Sequence, residues 1–212
     1  TSGARMSAVI KQMRDISLGT RATEFLRVVA STEVTDAAGA RRETEEAMAD
    51  LVAFLTDLRT RGGHLYLIGN GGSAGVASHA VTDFLNIGKL RAATLHDPSL
   101  LTCMSNDYGY DAAFARIVAT VASPADVLIA ISSSGQSANI RNAAAEMRKL
   151  GGKAITLSGF KRDNPLRSLG DVNVWLDSTD YGMVEIGHQF VLHNLADRLR
   201  LGNVSGQISS NL

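Results

Sequence analysis

The chain has 212 residues, 45% of them apolar and 20% charged, a composition that excludes a disordered segment and supports one generous domain. Lys plus Arg and Asp plus Glu balance at 21 each, so no overall field attracts nucleic acid or an anionic membrane. The lone cysteine, Cys103, excludes an internal disulfide, and the longest apolar runs fall far short of the ~20 residues that span a bilayer. With no charged-apolar-small leader at its start, the sequence is expected to be cytoplasmic, without a nucleic-acid or membrane partner. Thr1–Arg5 is set aside from the fold reading as a remnant.

The first sixty residues read as helix. Between Arg41 and Arg61, apolar Ala47, Leu51, Leu55 and Leu58 recur at spacings of three and four. Met6 to Ala30 shows a looser version, and Ser31–Ala40 is the expected break. Residues 1–40 are therefore expected to form an N-terminal helical segment, and 41–212 the main domain. After Gly62 and Gly63 five β-rich runs follow: His64–Ile68, Ala92–Leu95, Val127–Ile131, Lys153–Leu157 and Val172–Leu176. Crossover-length segments separate them, with helical pattern at Ser73–Leu85 and Ala138–Leu150. Strands that are nearly continuously apolar and alternate with helices predict an α/β fold, a parallel sheet covered on both faces. A last helix is predicted over Met183–Leu201.

Two strand ends are suited to phosphate. The first run ends in Gly69-Asn70-Gly71-Gly72-Ser73, where glycines let the backbone approach an anion and a helix start supplies N–H donors. The third ends in Ser132-Ser133-Ser134-Gly135-Gln136-Ser137, again before a helix. Serines also serve as ordinary N-caps, but two such loops on strands of one sheet converge on a phosphate site. Gly69-x-Gly71-x-x-Ala74 also fits a loose dinucleotide fingerprint, with Asp97 a little too far along to serve as its acidic residue. That reading leaves the serine loop unexplained, so no nucleotide cofactor is expected.

These loops, with Asn106-Asp107-Tyr108-Gly109-Tyr110 between them, resemble the sugar isomerase (SIS) domain, and within it the phosphoheptose isomerase branch. The resemblance runs from about Arg41 to Arg200 and includes His79, the Ile155–Gly159 strand end and Glu185 to His193. It implies a three-layer sandwich with a five-stranded parallel, flavodoxin-like sheet. It also implies a homotetramer whose N- and C-terminal helices form a central bundle, with active sites at subunit interfaces. The implied reaction is aldose–ketose isomerisation of a sugar phosphate, sedoheptulose 7-phosphate first among candidates. The alternatives are a non-catalytic phosphosugar- or protein-binding module, or an isomerase of another sugar phosphate.

The family's base and its acid–base partner fall on Asp83 and His193. Asp83 replaces the usual glutamate and is shorter by one methylene. Glu185 stands where the family's isomerases commonly carry glutamine. Asn70, Gly71, Ser73, Asp107, Ser132, Ser133, Ser134, Ser137 and Glu185 are the expected substrate-binding residues. His79 and Asp83, four apart, share one helix face. Glu185 and His193, eight apart, are read as roughly sharing another. Together the four are candidate ligands for zinc or another divalent metal, as in some family members. A bare His-x3-Asp is otherwise ordinary surface. His188 reads as structural or interfacial, Cys103 as a buried structural thiol, Trp175 as packing, and His96-Asp97 as either a turn or a substrate contact. Asp180 is out of register for a family role.

Overall fold

A computed structural model describes residues 16–210, with side chains described to residue 201. The elements in chain order are α1 (Leu18–Ala30), β1 (Glu33–Asp36), β2 (Arg41–Arg42), α2 (Thr44–Thr60), β3 (His64–Ile68), α3 (Gly72–Asn86) and β4 (Arg91–Thr94). They continue with α4 (Pro98–Tyr108), α5 (Tyr110–Val121), β5 (Val127–Ser132), α6 (Ala138–Lys149), β6 (Lys153–Ser158), a 3-10 turn (Pro165–Ser168), β7 (Val172–Trp175) and α7 (Tyr181–Ser210). All five expected strands are present. The expected helix over Met6–Ala30 is seen as α1, and its first part lies outside the described residues.

The sheet order is β2-β1-β7-β6-β5-β3-β4. β3 to β7 run parallel, the flavodoxin-like order in which the chain leaves β3 for β4 and then crosses back to β5. The sheet departs from the five-stranded expectation by two strands. β1 pairs antiparallel with β7 and with β2, inside the segment expected as a break. The buried Glu33 of β1 accounts for its hold on the edge. Burial pushes its carboxyl up, but Arg167 at 2.9 Å and Arg162 at 2.7 Å override this and hold it below the ordinary carboxylate range. Arg167 also lies over the Trp175 ring at 5.0 Å, which gives that buried tryptophan the packing role expected of it.

Alternation along the strands divides the core. Leu65, Leu67, Ile129 and Ile131 face α2, α3 and α7, while Tyr66, Ile68, Leu128 and Ala130 face α5 and α6. Every residue of β5 is buried, as a central parallel strand requires. α4 buries none of its residues. Cys103, expected in the core, is therefore exposed on it; the apolar run Leu100–Met104 marks only the inner side of an outlying helix.

His188 on α7 is fully buried, its Nε2 3.1 Å from the Ser158 carbonyl. This is the structural role expected of it. Burial pushes its pKa from 6.5 down to about 4, against a smaller raising effect of that hydrogen bond. The folded chain keeps the imidazole neutral between those values, whereas the unfolded chain protonates it. Stability from this site is therefore complete above pH 6.5 and is lost as pH falls toward 4, by about 3 kcal/mol. Urea unfolding at stepped pH is expected to show that loss in the parent and a shallower one in His188→Asn. Parallel pH profiles would contradict the assignment.

Candidate active site

The switch in strand order lies between β3 and β5, where neighbouring crossovers leave to opposite sides and open a crevice beyond the strand ends. Both phosphate-type loops open there. Asn70, Gly71, Gly72, Ser73, Ser132, Ser133, Ser134 and Ser137 line one cradle, closed by Tyr181 and Glu185 of α7. One hydroxyl contact joins the loops, Ser73 Oγ 3.4 Å from Ser133 Oγ, and within the serine loop Ser132 Oγ donates to Ser137 Oγ at 3.2 Å.

Capping distinguishes these helices from α1, α2 and α4, while α5 behind Gly109 is also without a side-chain cap. Ser17, Glu43 and Asp97 cap α1, α2 and α4 with side-chain oxygens. No side chain caps α3 or α6, the two helices that begin at the cradle. The first turns of both helices open on the cradle with the positive ends of two helix dipoles behind them, although the Ala74 N–H is taken by the Gly71 carbonyl and the Ile140 N–H by Asn139 Oδ1. Gly71 enters α3 with φ +53, and Gly135 turns the serine loop with φ +66.

A framework that the sequence did not reveal holds the loops. Asn70 and buried Asn139 exchange amide hydrogen bonds at 3.0 Å each, and the Tyr110 hydroxyl donates to Asn70 Oδ1 at 2.8 Å. Asn164, buried against Gly135, donates to Ser158 Oγ and the Gly159 carbonyl. His96 turns inward, and its Nε2 accepts from the Gly69 N–H at 3.1 Å. Burial lowers its pKa, so it stays a neutral acceptor that positions the loop. Asp97 only caps α4, and Asp180 caps α7 through the Met183 N–H.

Farther along the seam between α3 and α7, His79, Asp83 and His193 converge. Asp83 Oδ2 lies 2.9 Å from His193 Nδ1 and 3.7 Å from His79 Nε2, and the two imidazoles meet edge to face at 4.9 Å. Three donor atoms fall within 4.8 Å of one another. Asp83 Oδ2 is buried, and neither ring N–H is aligned to hydrogen-bond it. A buried carboxylate oxygen left without a donor, facing two imidazole nitrogens, fits a divalent cation.

Glu185, expected as a fourth member, is not in that cluster. Eight helical residues turn about 80° beyond two full turns, so Glu185 and His193 do not share a face. Its carboxylate rests instead against Gly72, in space that a side chain at 72 would need. Asp107 is not brought to the cradle either; it is exposed on α4, bonded to Asn106 Nδ2 at 3.0 Å and 3.7 Å from Cys103 Sγ.

With this geometry in hand, comparisons place the chain among known proteins. Residues 32–159 match the model of the SIS domain. A phosphoheptose isomerase from Pelobacter propionicus is 35% identical over 162 residues, covering 74% of this chain and 85% of that protein. In fold, the chain is similar to phosphoheptose isomerase GmhA from Neisseria gonorrhoeae, with TM-score 0.70, 24% identity, and coverage of 94% of this chain and 99% of that one. It is also similar to the Vibrio vulnificus NanR protein complexed with ManNAc-6P, with TM-score 0.67, 17% identity, and coverage of 97% and 69%.

Proposed function

The chain belongs to the SIS-domain family, and from that premise we infer that it is an aldose–ketose isomerase converting sedoheptulose 7-phosphate to D-glycero-D-manno-heptose 7-phosphate. The observation that carries the reading is the Asp83–His193 pair at 2.9 Å on the α3–α7 seam, about 15 Å of helix from its own chain's cradle, so that it acts on a phosphosugar held in a neighbouring subunit's cradle at the subunit interface the family implies. The cradle seats the phosphate through Ser73, Ser132, Ser133, Ser134 and Ser137, with Asn70 and Gly71 shaping the loop. Asp83 takes a proton from C1 of the ketose and returns it to C2, while His193 moves the hydroxyl proton between O2 and O1 through an enediol. Freed from Gly72, Glu185 reaches the sugar hydroxyls. The test is to follow the protein and sedoheptulose 7-phosphate by phosphorus NMR. A new aldose signal is expected, and an unchanged spectrum with bound ketose would make the chain a binding module.

As the alternative to a proton-carrying Asp83–His193 pair, His79, Asp83 and His193 would hold zinc or a similar cation, which would supply a Lewis acid to polarise the substrate carbonyl. Zinc is expected to raise the melting temperature of the parent, and His79→Ala to abolish that rise. An equal rise in both proteins would contradict the assignment.

The protein works as a homotetramer in the cytoplasm. Supporting assembly, α1 and α7 pack through Phe25 and Phe190 at 6.0 Å yet leave Leu18 87%, Leu26 69% and Ile186 58% exposed, a cost that burial between subunits removes. Among the described residues no helix is long and apolar enough to cross a membrane.

A further inference from the structure

Glu185 contributes the one formal charge among the residues lining the cradle, and its sign is negative. The carboxylate carbon and both oxygens lie against Gly72, at the uncapped start of α3, where an incoming anion would be seated. Among the described residues Glu185 has no hydrogen-bond or ion-pair partner. The dipole of α3 and the fit against a glycine hold it there.

We propose that Glu185 is the resident anion of the cradle, displaced when a phosphate ester binds, and that it thereby selects hydroxyl-bearing phosphosugars over inorganic phosphate. This rests on the reading of the cradle as a phosphate seat. A carboxylate and a phosphate cannot share the seat, because among the described residues no lysine or arginine lines it to offset their repulsion. At about 5 Å and an effective dielectric near 20, that repulsion weakens anion binding on the order of a few hundredfold. Any anion must therefore move the carboxylate out along the α3–α7 seam. A sugar phosphate brings its own compensation, since its hydroxyls donate to the displaced carboxylate in a charge-assisted hydrogen bond. Inorganic phosphate brings no chain of hydroxyls and bears the full cost. Glu185 thus keeps free phosphate from occupying the site without adding a positive charge to it.

The experiment measures binding of inorganic phosphate and of sedoheptulose 7-phosphate to the parent and to Glu185→Gln by calorimetry. The amide keeps the shape and removes the charge; Glu185→Ala serves as a second variant should the amide misfold. Inorganic phosphate is expected to bind at least tenfold tighter to either variant, with a smaller gain for the sugar phosphate, so that the preference for the ester falls. Equal or weaker phosphate binding in the variants, beside normal sugar-phosphate binding, overturns the role of Glu185 and leaves the cradle standing. Failure of the parent and the variants to bind either ligand overturns the cradle reading and this inference with it.

Discussion

His193→Ala and Asp83→Asn are each expected to lower isomerase turnover by ~10²–10⁴-fold while sugar-phosphate binding survives. The pair sits beside the seam between α3 and α7, and the cradle lies at the start of α3, ten residues or about 15 Å of helix before Asp83. Removing the imidazole takes away the group proposed to move the hydroxyl proton, and asparagine keeps the shape of Asp83 without the proposed base. Neither change touches the serine loop or the α3 N-terminus. Both side chains are partly accessible, 45% and 17% exposed, so neither variant opens a core cavity. Initial rates with sedoheptulose 7-phosphate, beside calorimetric affinity for the same ligand, check this. Retained turnover in both variants would remove the proton-transfer assignment, whereas lost binding in both would mean that the cradle and the pair are not separate.

The second large effect is expected at Gly69. A Cβ there would lie 2.5 Å from the Ser73 carbonyl carbon and oxygen and 2.9 Å from the Ala74 nitrogen. All three are backbone atoms of the first turn of α3, so no rotamer change relieves the collision. The helix start must move, and it carries both Ser73 and the N–H groups of the cradle. Gly69→Ala is therefore expected to cost about 1–3 kcal/mol of stability, as other overpacking does, and to abolish phosphate binding. The hydrogen bond from the Gly69 N–H to His96 ties the same residue to the neighbouring strand end, so displacement there is not local. Urea unfolding and phosphate calorimetry on one preparation test both parts. A variant with parental stability and affinity would show that the β3–α3 turn is not under this constraint.

Legibility from sequence followed the physics of each element. β3, β5 and β6 were readable because central parallel strands are apolar on both faces, and β5 is buried throughout; the edge strand β4 was readable only as the short run Ala92–Leu95 between helical segments. β1, with the sequence Glu-Val-Thr-Asp, was not. It is four residues long, mostly polar, and held by pairing with β7 and by the arginines around Glu33, contacts that exist only after folding. At the site, the two loops and the His79–Asp83 pair were legible because local spacing fixes them. Glu185 was misassigned to the cluster because spacing on one helix does not fix which end of a neighbouring helix a side chain meets. Tyr110 and Asn139 reach Asn70 across 40 and 69 residues, a distance no local pattern encodes. Cys103 was placed in the core on local apolarity, and α4 lies outside it.

The most direct measurement is mass spectrometry of sedoheptulose 7-phosphate recovered after incubation with the parent protein in deuterium oxide. Proton transfer through an enediol exchanges the C1 proton with solvent and delivers a deuteron to C2. The account predicts a one-mass-unit gain in both ketose and aldose, absent with His193→Ala and Asp83→Asn. Unlabelled ketose recovered from a protein that binds it would contradict the isomerase reading.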